Sequence, residues 1–169
     1  LELMAQVADL DAVVVSVGGG GLISGIAAAV KAINPACRVY GVEPEGADSM
    51  SQSLASGAPV TIPEANTIAA SLGPPLALPF GHALCAVHVD DVVTVSDDAI
   101  CAGMVVLQQA AKLAVEPAAG AAMAGAIGPL RGQLSGRRVG VIVCGANIDT
   151  DSYLGQLSRG QAALDSLLS

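Results

Sequence analysis

The chain alternates between short apolar runs and longer segments with helical spacing. Runs rich in valine predict four strands, at Val13–Val17, Arg38–Val42, Asp91–Val95 and Val139–Val143. The first and last runs have few polar breaks, which is typical of strands that are buried on both faces of a parallel sheet. We therefore expect both of them to be buried strands.

Helices are predicted between these strands. The segments with helical spacing are Leu1–Leu10, the residues from the glycines at 18–21 to Ile33, Ala47–Ser56, Ser96 to about Leu113, and Ala118–Leu130. Pro59–Pro79 predicts mostly irregular structure, and the residues from Asp151 onward predict a weakly helical tail. The order of elements predicts an α/β domain, with a doubly wound, mainly parallel sheet and helices on both of its faces.

Four consecutive glycines, Gly18–Gly21, join the first strand to the helix that follows it. A strand-to-helix turn this rich in glycine lets backbone N–H groups converge on an anion at the helix N-terminus. The predicted apolar face of this helix excludes Lys31 and consists of Leu22, Ile26, Val30 and Ile33.

Polar or small residues follow three of the predicted strands. They are Gly18–Gly21, Glu43 and Cys144–Asn147. Ligands of doubly wound sheets bind at the carboxyl ends of the strands. We therefore expect the ligand site at these residues.

Composition and charge narrow the class of ligand. Apolar residues make up 53% of the 169-residue chain and charged residues 13%, and the net charge is −8. This negative charge argues against nucleic-acid and anionic-lipid partners. No membrane span or signal peptide is predicted. The wide spacing of the cysteines favours reduced, buried thiols in a cytoplasmic protein, and these cysteines are Cys37, Cys85, Cys101 and Cys144.

The glycine pattern does not match the common nucleotide-binding motifs. Counted from Gly18, the third glycine of G-x-G-x-x-G falls on Ile23. Counted from Gly19, it falls on Ser24. A P-loop is also excluded, because Ile26 stands where its lysine belongs. The turn fits a single phosphate monoester better than a pyrophosphate.

An ordered set of segments resembles the fold-type II pyridoxal-phosphate enzymes, and most closely the threonine/serine dehydratase and serine racemase group, with a tryptophan synthase beta-like fold. The matching segments are Val13–Ala29, Val39–Ala47, Asn66–Gly73, Asp90–Ile100, Val115–Gly125 and Val141–Asp149. The resemblance covers roughly residues 1–150, which it implies to be a cofactor-binding domain. Residues 151–169 form the predicted C-terminal tail.

The resemblance implies pyridoxal 5′-phosphate as the cofactor and assigns residues to its site. These residues are Gly18, Gly19, Gly20, Gly21, Leu22, Glu116, Cys144, Gly145 and Asn147. Cys144 stands where the family has Ser or Cys facing the pyridine nitrogen. Such a neutral partner leaves the nitrogen unprotonated, which suits β-elimination better than transamination. The residues alone leave alternatives open. Cys144 fits a thiol in the core, and Glu116 fits a helix N-cap or a solvated acid in a loop.

A divalent-cation site that occurs in some members matches Glu43 and the carbonyl of Ala47. Oxygen ligands of this kind suit Mg²⁺ or Ca²⁺. The third ligand of that site is an acid, and Ser49 stands at its position here. Asp48 or water is an alternative ligand. The alternative prediction for Glu43 is a solvated acid at the end of a strand, without a metal.

No catalytic residue is predicted within this chain. The Schiff-base lysine of the family lies in a segment N-terminal to all the residues here, and neither Lys31 nor Lys112 has its sequence context. Ala70 also replaces an acid that is common in the family. We therefore expect the N-terminal part of the enzyme to be missing and the chain to be inactive alone.

The resemblance implies a lyase that converts a hydroxy-amino acid into a 2-oxo acid and ammonia. A small amino acid would be the substrate, and the protein would be a homodimer or higher homo-oligomer. Two alternatives stay open: an amino-acid racemase of the same family, and a non-catalytic Rossmann-like domain that binds a phosphate or a nucleotide. His82, Cys85 and His88 are expected to be structural.

Overall fold

The computed structural model describes residues 1–168, and the side chains of residues 1–164. Its centre is a sheet of four parallel strands: β1 (Ala12–Ser16), β2 (Arg38–Pro44), β3 (Asp91–Val95) and β4 (Val139–Val141). Their spatial order is β3-β2-β1-β4. The predicted α/β class and the parallel sheet are confirmed.

Eight α-helices pack around the sheet in the described part of the chain. They are α1 (Glu2–Gln6), α2 (Gly21–Ile33), α3 (Ser49–Ser56), α4 (Pro79–His88), α5 (Asp97–Val106), α6 (Pro117–Ile127), α7 (Arg131–Leu134) and α8 (Thr150–Leu168). A 3₁₀ turn covers Ala70–Leu72, and a π-helical turn follows α5 at Leu107–Ala111. None of the described helices is both long enough and apolar enough to cross a lipid bilayer.

Alternate residues of β1 enter two separate cores, as strand geometry requires. Val14 packs with the alanines of α6 on one face of the sheet. Val13 and Val15 pack with Ile23 and Ala27 of α2 on the other. Helices therefore cover both faces, which confirms the doubly wound arrangement.

The predicted apolar face of α2 was confirmed at Val30 and, in part, at Ile26, but it was wrong at its two ends. The structure buries Ile23, Ser24, Ala27 and Val30. Leu22 and Ile33 are instead 47% and 51% exposed. The helix begins at Gly21, and its orientation on the sheet places the stripe that starts at Ile23 inward.

Lys31 was predicted to lie outside the packed face, but it is largely covered. Its Nζ lies 2.7 Å from Oδ2 of Asp90, and its side chain is only 18% exposed. The same Nζ donates to the carbonyl of Cys37 at 2.8 Å. Asp90 also accepts hydrogen bonds from the Val39 N–H and from Arg38. The long lysine stem allows its charge to reach this carboxylate at the amino ends of β2 and β3.

Other element boundaries also differ from the prediction. β4 is half-buried, because it lies at the edge of the described sheet. Helix α5 ends at Val106, earlier than predicted, and passes into the π-helical turn. Helix α4 was not predicted; it begins with a proline at its first position, where a missing N–H costs no helical hydrogen bond. The C-terminal tail forms α8, which packs against α5.

Candidate active site

The glycine turn between β1 and α2 adopts a conformation that suits glycine. Gly20 is the N-cap residue of α2, and its φ of 91° lies in the left-handed region. A Cβ at Gly18 would lie 3.0 Å from the carbonyl oxygen of Ser71. The turn therefore packs closely against the backbone of the segment that contains Ser71.

The amides of this turn are suited to bind an anion. The N–H of Ser24 makes the first helical hydrogen bond, to the carbonyl of Gly20 at 3.0 Å. The preceding amides belong to the first turn of a helix, where N–H groups have no acceptor four residues earlier. The helix macrodipole adds positive potential at the same point.

The turn borders a cavity of about 250 Å³. The cavity lies beside β1 and β4, where the spatial order of strands reverses along the sequence. Ligands bind at this switch point in doubly wound sheets. Its lining includes Gly18–Gly21, Leu22, Ser71, Glu116 and Cys144. Seven of the nine residues assigned to the cofactor site therefore line one cavity.

Cys144 is exposed toward this cavity, whereas the spacing of the cysteines predicted four buried thiols. The other three cysteines are buried. Cys144 follows the end of β4, and its Sγ lies 3.3 Å from Oγ of Ser16 at the end of β1. Ser16 itself is 2% exposed. The two strand ends thus present a neutral thiol and a neutral hydroxyl side by side.

Glu116 is the N-cap residue of α6, although its side chain makes no capping hydrogen bond. Its backbone N–H donates to the carbonyl of Gly145 at 3.2 Å. A Cβ at position 145 would overlap Oε1 of Glu116, so Gly145 permits this close approach. The carboxylate consequently lies at the cavity rim rather than over the helix end.

The structure does not place Asn147 in the same cavity. Asn147 is exposed and lines an adjacent depression of about 230 Å³, which shares Ser71 and Glu116 with the glycine cavity. Of the assigned set, Gly145 and Asn147 therefore stand next to the cavity rather than in its lining.

Glu43 was predicted as a metal ligand or a solvated acid, and the structure supports neither role. Its side chain is 0% exposed. Oε1 accepts from the N–H of Met50 at 2.8 Å, and Oε2 accepts from the N–H and Oγ of Ser51 at 2.8 and 2.6 Å. Burial raises the pKa of Glu43, and these hydrogen bonds oppose that shift. Glu43 is therefore a cap for the N-terminus of α3.

The described residues contain no cluster of three or more acidic, histidine or cysteine side chains that could hold a metal ion. Ala47, the second predicted ligand, is buried, and its N–H donates to the carbonyl of Pro44. The donor set around Glu43 does not fit Mg²⁺ or Ca²⁺, which prefer six or more oxygen ligands.

Several other polar residues lie away from the cavity. His82 is buried, with Nε2 3.1 Å from the carbonyl of Ser53. Lys112 donates to the carbonyl of Gln109 at 2.8 Å. Within the described residues, neither Lys31 nor Lys112 lines the cavity.

Sequence reasoning missed Ser16 and Ser71. Ser16 carried a usable signal, because it is the only hydroxyl residue in an otherwise apolar strand run. Ser71 lies within the matching segment Asn66–Gly73, but its approach to the cavity depends on the long-range packing of a 3₁₀ turn, which local patterns do not specify.

Comparison with known proteins agrees with this site. The family model described as "Pyridoxal-phosphate dependent enzyme" matches residues 1–145. Phenylserine dehydratase from Ralstonia pickettii is 45% identical over 159 residues, which cover 94% of this chain and 49% of that protein. Serine racemase from Oryza sativa subsp. indica is 41% identical over 157 residues, covering 88% and 45%. The chain therefore spans about half the length of these curated relatives.

Solved structures share the fold. Maize serine racemase superposes with a TM-score of 0.84 at 38% identity, covering 94% of this chain and 51% of that one. The processed form of threonine deaminase isoform 2 from Solanum lycopersicum gives a TM-score of 0.89 at 31% identity, covering 94% and 46%.

The features of the cavity fit pyridoxal phosphate. Small residues leave room at the α2 N-terminus for a phosphate group, and the neutral Ser16–Cys144 pair lies within the same cavity. Gly145 leaves space for the Glu116 carboxylate. With the family model matching most of its length, the chain belongs to the pyridoxal-phosphate-dependent enzymes, and it has the fold of serine racemase and threonine deaminase.

Proposed function

We propose that this chain supplies the phosphate-binding and ring-nitrogen sides of the cofactor site in a pyridoxal-phosphate-dependent ammonia-lyase. The enzyme would convert a hydroxy-amino acid into a 2-oxo acid and ammonia. The observation that carries the proposal is a single cavity that combines the glycine turn with the neutral Ser16–Cys144 pair.

The backbone amides of the turn bind the phosphate in this proposal. No lysine or arginine is among the described residues that line the cavity. The negative charge of the phosphate must therefore be balanced here by the N–H groups at the start of α2 and by the helix macrodipole. Leu22 contributes its backbone amide, because it lies in the first turn of α2, where the N–H groups have no acceptor within the helix.

The cofactor, when bound, supplies an electron sink for the bonds at the α-carbon of the amino acid. Cys144 and Ser16 determine how strong that sink is. A thiol and a hydroxyl are neutral, so they do not stabilise a protonated ring nitrogen as a carboxylate would. The weaker sink favours loss of a β-substituent over transamination. Glu116 holds a carboxylate at the cavity rim, and Gly145 keeps the space that this carboxylate occupies.

The substrate class follows from similarity. Relatives of this chain include a phenylserine dehydratase and L-threo-3-hydroxyaspartate ammonia-lyases, whose names specify β-hydroxy amino acids. A racemase is the second candidate, supported by 41% identity to a serine racemase and by the superposition on the maize enzyme. A cytoplasmic location and a homo-oligomeric state remain part of the proposal.

The test uses the full-length gene product that contains this chain, saturated with pyridoxal phosphate. We expect a near-visible absorption band that borohydride removes. With L-threonine, L-serine, L-threo-phenylserine and L-threo-3-hydroxyaspartate, we expect release of a 2-oxo acid and ammonia in equal amounts. Formation of the D-amino acid without ammonia would favour the racemase. Absence of the band would refute both and favour a non-catalytic phosphate-binding domain.

Two cysteine variants test the assignment of Cys144. Cys144→Ala is expected to shift the absorption band, because it removes the thiol at the ring-nitrogen side. Cys85→Ala is the matched control: it removes a buried thiol that does not line the cavity. An identical spectrum for Cys144→Ala and the unmodified protein would exclude the proposed role of the thiol.

A further inference from the structure

We infer that a protein cap has replaced the divalent-cation site that the family resemblance implies around Glu43, so that this protein neither binds nor needs Mg²⁺ or Ca²⁺ there. The inference concerns binding and stability, and it does not depend on the proposed reaction. It rests on the hydrogen bonds of Glu43, on Ser49, and on the packing of helix α3.

The Glu43 carboxylate is fully engaged by the start of α3. Three donors reach its two oxygens: the N–H of Met50, the N–H of Ser51 and the Oγ of Ser51, at 2.8, 2.8 and 2.6 Å. The residue is 0% exposed. A cation that coordinated this carboxylate would have to displace these donors, and it would leave the buried N–H of Met50 and the partly buried N–H of Ser51 without an acceptor.

The residues that would complete a cation site are not suited to do so. Ser49, at the position of the third ligand, is 1% exposed, and its Oγ donates to the carbonyl of Pro74 at 3.4 Å. Asp48, the alternative acid, accepts from Nε2 of Gln52 at 2.8 Å on the exposed side of α3. Of the described residues Glu43, Ser49 and Asp48, only Glu43 directs a carboxylate inward, whereas cation sites of this type combine several oxygen ligands and more negative charge.

The start of α3 supplies what a cation would otherwise supply at Glu43. Its first N–H groups and the Ser51 hydroxyl are hydrogen-bond donors, and the positive end of the helix dipole faces the carboxylate. The result is a link from the end of β2 to α3 without an ion.

This link also reaches the glycine turn. Met50, the second residue of α3, is fully buried, and its methyl group occupies the space that a side chain at Gly20 would need. Nε2 of His82 lies 3.1 Å from the carbonyl oxygen of Ser53, in the second half of α3. Glu43 is therefore a positioning residue, which fixes α3 and through Met50 supports the turn.

Thermal unfolding of the full-length gene product tests the inference. We expect the same Tm after treatment with EDTA and after addition of MgCl₂ or CaCl₂, and no stoichiometric metal by elemental analysis. Ser51→Ala is expected to lower Tm equally with and without these cations, and Ser51→Thr to restore it. A cation-dependent rise in Tm of the unmodified protein, or rescue of Ser51→Ala by a cation, would overturn the inference.

A gain-of-binding variant completes the test. Ser49→Asp restores the acid at the third ligand position, and we expect Ca²⁺ or Mg²⁺ to raise the Tm of this full-length variant by about 3–4 °C at a hundredfold excess over Kd. Gln52→Asp places the same charge on the exposed side of α3 and is expected to show no such rise. A rise of equal size in both variants would refute the assignment to Ser49, and no rise in either would assign the loss of cation binding to the Glu43 cap alone.

Discussion

Replacement of Gly20 by alanine tests the conformation on which phosphate binding depends. At φ 91° an alanine is in the left-handed region, which costs a residue with a Cβ about 1–2 kcal/mol. The new Cβ would also press on the methyl group of Met50, but this flexible end can move aside. We therefore expect the free energy of unfolding to fall by about 1–2 kcal/mol, mainly because of φ.

The assay is thermal unfolding beside a matched variant at the adjacent position. For a domain of this size, 1–2 kcal/mol corresponds to a Tm lower by about 2–8 °C. Gly21→Ala is the control: Gly21 has no positive φ, and no atom lies within 4 Å of an added Cβ. We expect this control to be neutral or stabilised by about 0.4–1 kcal/mol.

Affinity for pyridoxal phosphate gives a second readout for the Gly20→Ala variant. We expect a higher Kd, because the strained residue would redirect the amides at the start of α2. If Gly20→Ala and Gly21→Ala unfold at the same temperature and Gly20→Ala binds the cofactor normally, the described turn geometry is wrong.

Two further predictions concern the packing of the helices and the charges. Gly103→Ala is expected to lower the free energy of unfolding by about 1–3 kcal/mol in a denaturant titration, because its Cβ would overlap the backbone carbonyl of Gly120. Gly132→Ala is the control and should have little effect, because no atom lies within 4 Å of its added Cβ. Burial opposes the lowered pKa of Asp90, but hydrogen bonds from Lys31 and its neighbours outweigh it. The stability that Asp90 contributes is therefore fully present above its pKa in the unfolded chain, about 3.9, and it is lost as the pH falls through the lower pKa of the folded state. Asp90→Asn should consequently flatten the decline of Tm below about pH 4. Equal pH profiles for this variant and the unmodified protein would contradict it.

The strand, glycine turn and helix at the start of the fold were predictable, because local patterns determine them. The valine run of β1, the glycines and the helical spacing of α2 each specify a conformation within a few residues. The direction in which α2 faces was not predictable from the same segment. It depends on how the helix meets the sheet, and that contact buries Ile23 rather than Leu22.

The site required contacts between distant parts of the chain. Ser16 and Cys144 are separated by 128 residues and meet only because β1 and β4 are neighbours in the sheet. The motif resemblance identified Cys144 but not its hydroxyl partner. The exposure of Cys144 also differs from the buried thiol that the wide spacing of the cysteines predicted.

Glu43 shows where a motif misleads. The residue matches a ligand position, but its environment is set by the start of α3. Ser51 contributes two of the three donors to its carboxylate, and no part of the motif includes that residue. Local sequence specifies which acid ends the strand, whereas the packing of the next helix decides what the acid does.

A crystal structure of the full-length gene product with pyridoxal phosphate would test the central claim most directly. The account predicts phosphate oxygens within hydrogen-bond distance of the backbone amides at Gly18–Leu22, with the pyridine nitrogen facing Sγ of Cys144. A phosphate held by lysine or arginine side chains elsewhere, or a ring nitrogen paired with a carboxylate, would contradict it.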